Sequence, residues 1–134
     1  MRGYLLDTSA LLALRDNEPG ADRVTELLAA AADGGSVCHG CFISLMEVLY
    51  RVWKDEGEEA GRAAYYACQR LAIKWRHENS ALLERAAEIK ARFPVSLADA
   101  WIAAAALEVD AVLVHKDPEF ERVDGLRQEL LPYK

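Results

Sequence analysis

The residues of this chain best suited to chemistry are carboxylates in apolar company. Asp7 is the only charge between Gly3 and Leu14, Glu47 the only one between Val37 and Tyr50, and Asp99 the only one between Val95 and Leu107. Asp117 follows the apolar run Ala111-Val112-Leu113-Val114 after His115 and Lys116. An ionised carboxylate is rarely buried unless it is paired, hydrogen-bonded or bound to a metal. If the four gather, each close pair repels by about 4 kcal/mol at ~4 Å in an effective dielectric of about 20, so protons or a cation must offset the charge. Hard oxygen donors suit Mg²⁺ or Mn²⁺, whereas zinc sites prefer His and Cys. Divalent ions held this way lower the pKa of bound water and stabilise an in-line displacement at phosphorus. The reaction class is hydrolysis of a phosphodiester or a phosphate ester.

Each acid also has a purely structural reading. Ser44-Leu45-Met46-Glu47 fits the capping box S-x-x-E, and Ser96 to Asp99 fits its Asp variant. Asp7-Thr8-Ser9 fits a cap for the helix that follows. Four caps, all in apolar stretches and all at one end of a sheet, would be a coincidence. The set favours a site.

The elements that must position these acids follow from periodicity. Gly3 to Leu6, Val37 to Ile43 and Ala111 to Val114 are short apolar runs that read as strands. Ile73 to Arg76 and Leu130 to Tyr133 read as further short strands. Helical spacing covers Ser9 to Leu14, Ala21 to Ala32, a segment opening at Ser44, Glu58 to Leu71, and Ser80 to Arg92. Leu97 to Leu107 is apolar almost all round, which means burial. Short apolar strands alternating with helices imply a mainly parallel sheet covered on both faces, a three-layer α/β/α sandwich. Ligands of such sheets collect outside the carboxyl ends of the strands, and each of the four acids falls at such an end or in the first turns of the helix beyond it.

With 134 residues and 14.9 kDa, one domain spanning 1–134 is expected. An apolar content of 52% with 28% charged residues excludes a disordered chain. A formal charge of -6 and a pI near 5.1 exclude a surface that is one continuous nucleic-acid footprint. The charge is uneven, since residues 51–92 hold 9 Lys/Arg against 7 Asp/Glu, a balance of +2 that leaves -8 elsewhere. No apolar run is long enough to span a membrane, Asp7 interrupts the first one, and no signal-peptide pattern is expected. Three cysteines make no disulfide framework and fit a reducing cytosol. The C-x-x-C of Cys38-His39-Gly40-Cys41 lies inside a strand pattern, where Cys acts as a small buried hydrophobe. Trp53, Tyr65, Tyr66 and Trp75, interleaved with Arg51, Lys54, Arg62, Arg70, Lys74 and Arg76, suit either RNA stacking with phosphate contacts or a core and dimer interface.

In order along the chain, YLLDTSALLAL, ISLMEVLYRV, SLADAWIAAAAL and AVLVHKDPEF resemble the signature blocks of PIN-domain ribonucleases, most closely the VapC-type toxins of toxin–antitoxin pairs. The resemblance implies that Asp7, Glu47, Asp99 and Asp117 hold Mg²⁺ or Mn²⁺ and activate water to cut single-stranded RNA, leaving 5′-phosphate and 3′-hydroxyl ends. It makes Asp7 and Asp99 the foremost metal ligands, with Glu47 and Asp117 completing the site or orienting the water. It places Thr8 near the metal and extends to Glu119 before Phe120. It further implies a homodimer and a small VapB-like antitoxin that threads a segment into the acidic groove, in the cytoplasm. The chain departs from the pattern at His115, where many members carry Thr or Ser; lying near the site, His115 is a candidate substrate contact.

Two other enzyme or signalling readings fit less well. A haloacid-dehalogenase-type phosphatase needs an Asp two residues after Asp7, where Ser9 stands. A phosphoacceptor receiver domain needs paired acids after the first strand and an acceptor Asp mid-chain. An inactive PIN-like binding module would not need the intact acid set.

Overall fold

In the computed structural model residues 3–133 are described; residues 1, 2 and 134 of the expected domain lie outside that range. Five short strands, β1 (Tyr4–Leu6), β2 (Cys38–Cys41), β3 (Lys74–Arg76), β4 (Val112–His115) and β5 (Gln128–Leu130), pair in the order β3-β2-β1-β4-β5. Every pairing is parallel. The first strand of the chain is therefore the central one, with Leu5 beside His39 on one side and Leu113 on the other.

Parallel neighbours need crossovers, and six helices supply them: α1 (Thr8–Asp16), α2 (Ala21–Ala32), α3 (Phe42–Glu56), α4 (Glu58–Gln69), α5 (Ser80–Arg92) and α6 (Leu97–Glu108). Because side chains alternate along a strand, Leu5, Cys41 and Leu113 enter the core beneath α5 and α6. Leu6, Cys38 and Val114 enter the opposite core, beneath α1 to α4. Leu5, Leu6 and Leu113 are wholly buried, each contributing roughly 1.5–3 kcal/mol of hydrophobic stabilisation. The result is the α/β/α sandwich expected from the sequence. Helix α6 lies tight against the sheet because its buried face is built from Ala100 and Ala103 to Ala106. In the α3–α4 hairpin, a Cβ at Gly61 would sit 2.8 Å from Trp53 Cβ and 2.9 Å from the Leu49 carbonyl oxygen, so only glycine allows this approach.

The same alternation settles the C-x-x-C motif. Cys38 and Cys41 are an odd number of positions apart and point into opposite cores as free thiols, so they share neither a disulfide nor a metal.

Three boundaries differ from the sequence expectation. Strand β2 ends at Cys41, and α3 takes in Phe42 and Ile43, which were expected in the strand. Tertiary packing outweighs their strand propensity, since Phe42 stacks edge-on against Trp101 with ring centroids 5.1 Å apart. The last strand is Gln128–Leu130, slightly earlier than expected, and a 3₁₀ turn at Pro118–Arg122, which the sequence did not signal, separates it from β4. Among the described residues, no helix is long and apolar enough to cross a membrane.

Candidate metal centre

The parallel sheet delivers the acids to one end. Asp7 follows β1 and caps α1, its carboxylate accepting from the Ala10 N–H at 2.9 Å and the Ser9 hydroxyl at 2.7 Å. Asp99 sits in the first turn of α6. Asp117 follows β4 and caps the 3₁₀ turn, accepting from the Glu119 N–H at 2.9 Å. Glu47 lies farther in, on α3.

Carboxylate oxygens of Asp99, Asp117 and Glu119 lie within 4.8 Å of one another. The structure thus brings together Asp99 and Asp117 from the sequence-derived set and adds Glu119. Asp7 and Glu47 stand outside this knot but within its field. Burial pushes the Asp7 carboxyl up to about 7, against the pull of its Ser9 and Ala10 bonds, and the charges of Asp117 and Glu47 add to the rise. Burial, together with hydrogen bonds to Glu119 and Asp117, holds Asp99 well above the usual carboxylate range. The neighbouring Asp99 carboxyl pulls Glu119 below the usual range, so the two titrate as a pair.

The capping alternatives resolve one by one. Asp7 does cap α1, and its second role is electrostatic. Ser44 is no cap, because α3 starts before it. Its hydroxyl lies 2.9 Å from that of Thr8, which in turn donates to Glu47 Oε1 at 2.6 Å. Ser96 caps α6 by accepting from the Asp99 N–H at 3.2 Å, but the reciprocal half of the box is missing from Asp99. The Asp99 carboxyl is thereby left facing the cluster.

Thr8, expected near the metal, and His115, expected to touch substrate, are both turned inward. Thr8 is buried, and its hydroxyl is committed to Glu47, which also takes Arg51 at 3.2 Å. These bonds fix Glu47 rather than a ligand. His115 is wholly buried, with both ring nitrogens bonded inside the fold, so it offers nothing to a substrate. Its Nδ1 accepts the Asp117 N–H at 2.9 Å and its Nε2 lies 2.8 Å from Gln128 Oε1. Ser9 went unremarked as a site residue. Its hydroxyl donates to Asp7 and accepts the Lys116 N–H at 2.9 Å, tying the start of α1 to the end of β4.

Two grooves flank the acids. One, of about 280 Å³, is lined by Pro94, Asp117, Pro118, Glu119 and Arg122. The other, of about 310 Å³ between α3 and α6, includes Met46, Glu47, Tyr50, Leu97 and Trp101. Three hard carboxylate donors with no imidazole or thiol among them match Mg²⁺ or Mn²⁺ rather than Zn²⁺.

The PIN domain family model matches residues 4–126, which is nearly the whole chain. No curated protein matches the sequence. Among solved structures, VapBC2 of Rickettsia felis bound to a promoter DNA fragment is similar at TM-score 0.78 and 19% identity, covering 96% of this chain and 98% of that one. DNA-bound VapBC of Salmonella typhimurium follows at TM-score 0.77 and 23% identity, with coverages of 96% and 98%. A Mycobacterium tuberculosis VapC toxin that cleaves the sarcin-ricin loop matches at TM-score 0.74 and 20% identity, over 97% of this chain and 100% of that one. At these identities the structural likeness speaks for the fold, and the sequence model speaks for descent: the chain belongs to the PIN domain family.

Proposed function

We propose that this chain is a metal-dependent endoribonuclease that hydrolyses single-stranded RNA, and that it is the toxin of a toxin–antitoxin pair. The observation that carries the reading is the gathering of Asp99, Asp117 and Glu119 within 4.8 Å at the carboxyl end of the sheet. Asp7 and Glu47 lie beside them, and family membership supplies the reaction class. Bound Mg²⁺ or Mn²⁺ would neutralise the scissile phosphate and lower the pKa of the attacking water.

Asp99, Asp117 and Glu119 would hold the ion, and Asp7, a metal ligand by the family likeness, would join them from the β1 side. Water oxygen would bond to phosphorus as the bond to the 3′ oxygen breaks, with a proton from the water ending on that oxygen, giving 5′-phosphate and 3′-hydroxyl ends. Glu47, held by Thr8 and Arg51, sets the charge on the α3 side. Arg122, which lines the groove beside Asp117 and Glu119, and Arg51, bonded to Glu47, would offset the charge of a polyanion in a protein of net charge -6.

The partner would be a small VapB-like antitoxin whose basic segment occupies the acidic groove. The chain would form a homodimer through Met46, Tyr50, Leu83 and Leu97, large apolar side chains left exposed on α3, α5 and α6. Three free buried thiols accord with action in the cytoplasm.

Labelled single-stranded RNA incubated with the purified protein tests the reaction. Cleavage in Mg²⁺ or Mn²⁺ that stops in EDTA is expected; cleavage that persists in EDTA, or none with either ion, overturns the reading.

A further inference from the structure

The acid cluster is only as well placed as the turn that carries Asp117 and Glu119, and that turn is held from beneath by a buried polar chain. The Asp117 N–H is a donor, so the His115 Nδ1 that receives it at 2.9 Å is unprotonated. The ring proton is then on Nε2, which donates to Gln128 Oε1 at 2.8 Å. This fixes the Gln128 amide, whose nitrogen donates to the Phe120 carbonyl at 2.8 Å. The imidazole is wholly buried and meets the Phe120 ring edge-on with centroids 4.9 Å apart. Gln128 comes from β5, on the far side of the 3₁₀ turn from His115. One ring and one amide thus grip the turn at both ends, at the Asp117 amide and at the Phe120 carbonyl.

We propose that His115 and Gln128 are positioning residues of the metal centre: the Nε2–H tautomer of His115, selected by Gln128, fixes the Asp117 amide and so the directions in which the Asp117 and Glu119 carboxylates point. The proposal rests on the metal-centre reading above, and it assigns the pair no contact with metal or RNA. A side-chain acceptor bonded to the backbone N–H two residues on is the geometry that Asn, Asp, Ser and Thr use in tight turns. Here an imidazole does it, and because either imidazole nitrogen can carry the proton, the arrangement requires a second residue to choose the tautomer. Without Gln128, a proton on Nδ1 would face the Asp117 N–H donor to donor.

The pair differs from packing filler in what restores it. His115→Ser keeps an acceptor for the Asp117 amide, whereas His115→Leu fills the space without one. Gln128→Glu keeps an acceptor for Nε2–H and loses only the donor to the Phe120 carbonyl, whereas Gln128→Leu loses both; Gln128 is on the edge strand, where substitution disturbs the core least. Two readouts that need no RNA cleavage test the proposal in the full chain. Mn²⁺ affinity, read by electron paramagnetic resonance, should weaken about ten- to hundredfold in both Leu variants, as for other residues that orient metal ligands, stay within about threefold of wild type in the Ser variant, and weaken clearly less in Gln128→Glu than in Gln128→Leu. Hydrogen exchange at the Asp117 amide in EDTA should accelerate in the Leu variants alone. Leu variants with wild-type Mn²⁺ affinity and unchanged Asp117 exchange overturn the proposal, as does equal loss in the Ser and Leu, and in the Glu and Leu, variants. If His115→Leu does not fold, the Gln128 pair decides. Failure of the wild type to bind Mn²⁺ would sink the metal centre while leaving the exchange comparison to judge the turn.

Discussion

Asp99 in the first turn of α6 and Glu119 in the 3₁₀ turn bring carboxylate oxygens within 4.8 Å of each other; burial and this contact hold Asp99 above the usual carboxylate range, and the contact holds Glu119 below it. A carboxyl held above its ordinary range keeps its proton near neutral pH, so a divalent ion must displace that proton to bind. Its affinity should rise with pH, and binding should release protons, as calorimetry in buffers of different ionisation enthalpy would register. Binding without proton release near neutral pH would contradict the arrangement.

Stability of the metal-free protein should fall with pH above neutrality. A carboxyl whose folded pKa lies above its unfolded value stabilises the fold at low pH and loses that contribution as pH climbs through the folded pKa. For Asp7, pushed up to about 7, the loss runs from the usual carboxylate range to neutrality. His39 opposes it there, since burial and the neighbouring Arg76 and Lys74 lower that imidazole to about 4 and its contribution grows with pH. His115, lowered by burial, acts in the same sense as His39. Above neutrality both histidines are neutral in either state, and Asp99, held far above its usual value, dominates. In EDTA the melting temperature should drop by roughly 3 °C or more between about pH 6.5 and 8. Asp99→Asn should flatten the slope, and millimolar Mg²⁺ should reverse it. A melting temperature constant over that interval would refute the shift.

Asp99→Asn should also separate the cap from the chemistry. The Ser96 cap bonds to the Asp99 backbone N–H, which the substitution keeps. RNA cleavage should fall by a factor on the order of a hundred to a thousand with no loss of melting temperature at neutral pH. An unfolded variant, or a folded one that still cleaves, would return Asp99 to a structural role.

Thr8→Val removes the hydroxyl that bonds Glu47 at 2.6 Å and that meets Ser44, while nearly preserving volume. Two buried oxygens lose a partner at once. Urea denaturation should report a loss of about 1–3 kcal/mol, and Thr8→Ser should restore most of it. Unchanged stability in Thr8→Val would mean that water replaces the bond without cost.

Leu97 is 67% exposed at the start of α6, between the apolar groove beside Glu47 and the exposed Leu83 of α5. If this face joins two copies, Leu97→Lys should convert a dimer into a monomer in sedimentation velocity at micromolar concentration. A wild-type protein that is already monomeric there would remove the dimer from the proposal.

Much of the site was legible because of contrast. Asp7, Glu47 and Asp99 each break an apolar run, and a parallel sheet sends the segments beyond its strands to one end. Glu119 carries no such contrast, lying among Asp117, Glu121 and Arg122, and only the family likeness marked it. Ser9 and Gln128 were invisible because a hydroxyl or an amide in a polar stretch has no periodic signature; their roles depend on partners distant in sequence. His115 was misread for the opposite reason. Nearness to an acid in sequence suggested the substrate side, whereas strand alternation turns it inward against Phe120. The start of α3 was obscured by Phe42 and Ile43, whose side chains suit a strand until Trp101 claims the first of them.

The placement of the chain's first strand at the middle of the sheet has a consequence for biosynthesis. β1 leaves the ribosome first yet acquires its β4 neighbour only after residue 115 has emerged, and the turn bearing Asp117 and Glu119 is not secured until Gln128 follows. Asp7, Asp99 and the pair on the turn can therefore share one end of the sheet only after residue 128 has been made, in a closure of long sequence separation.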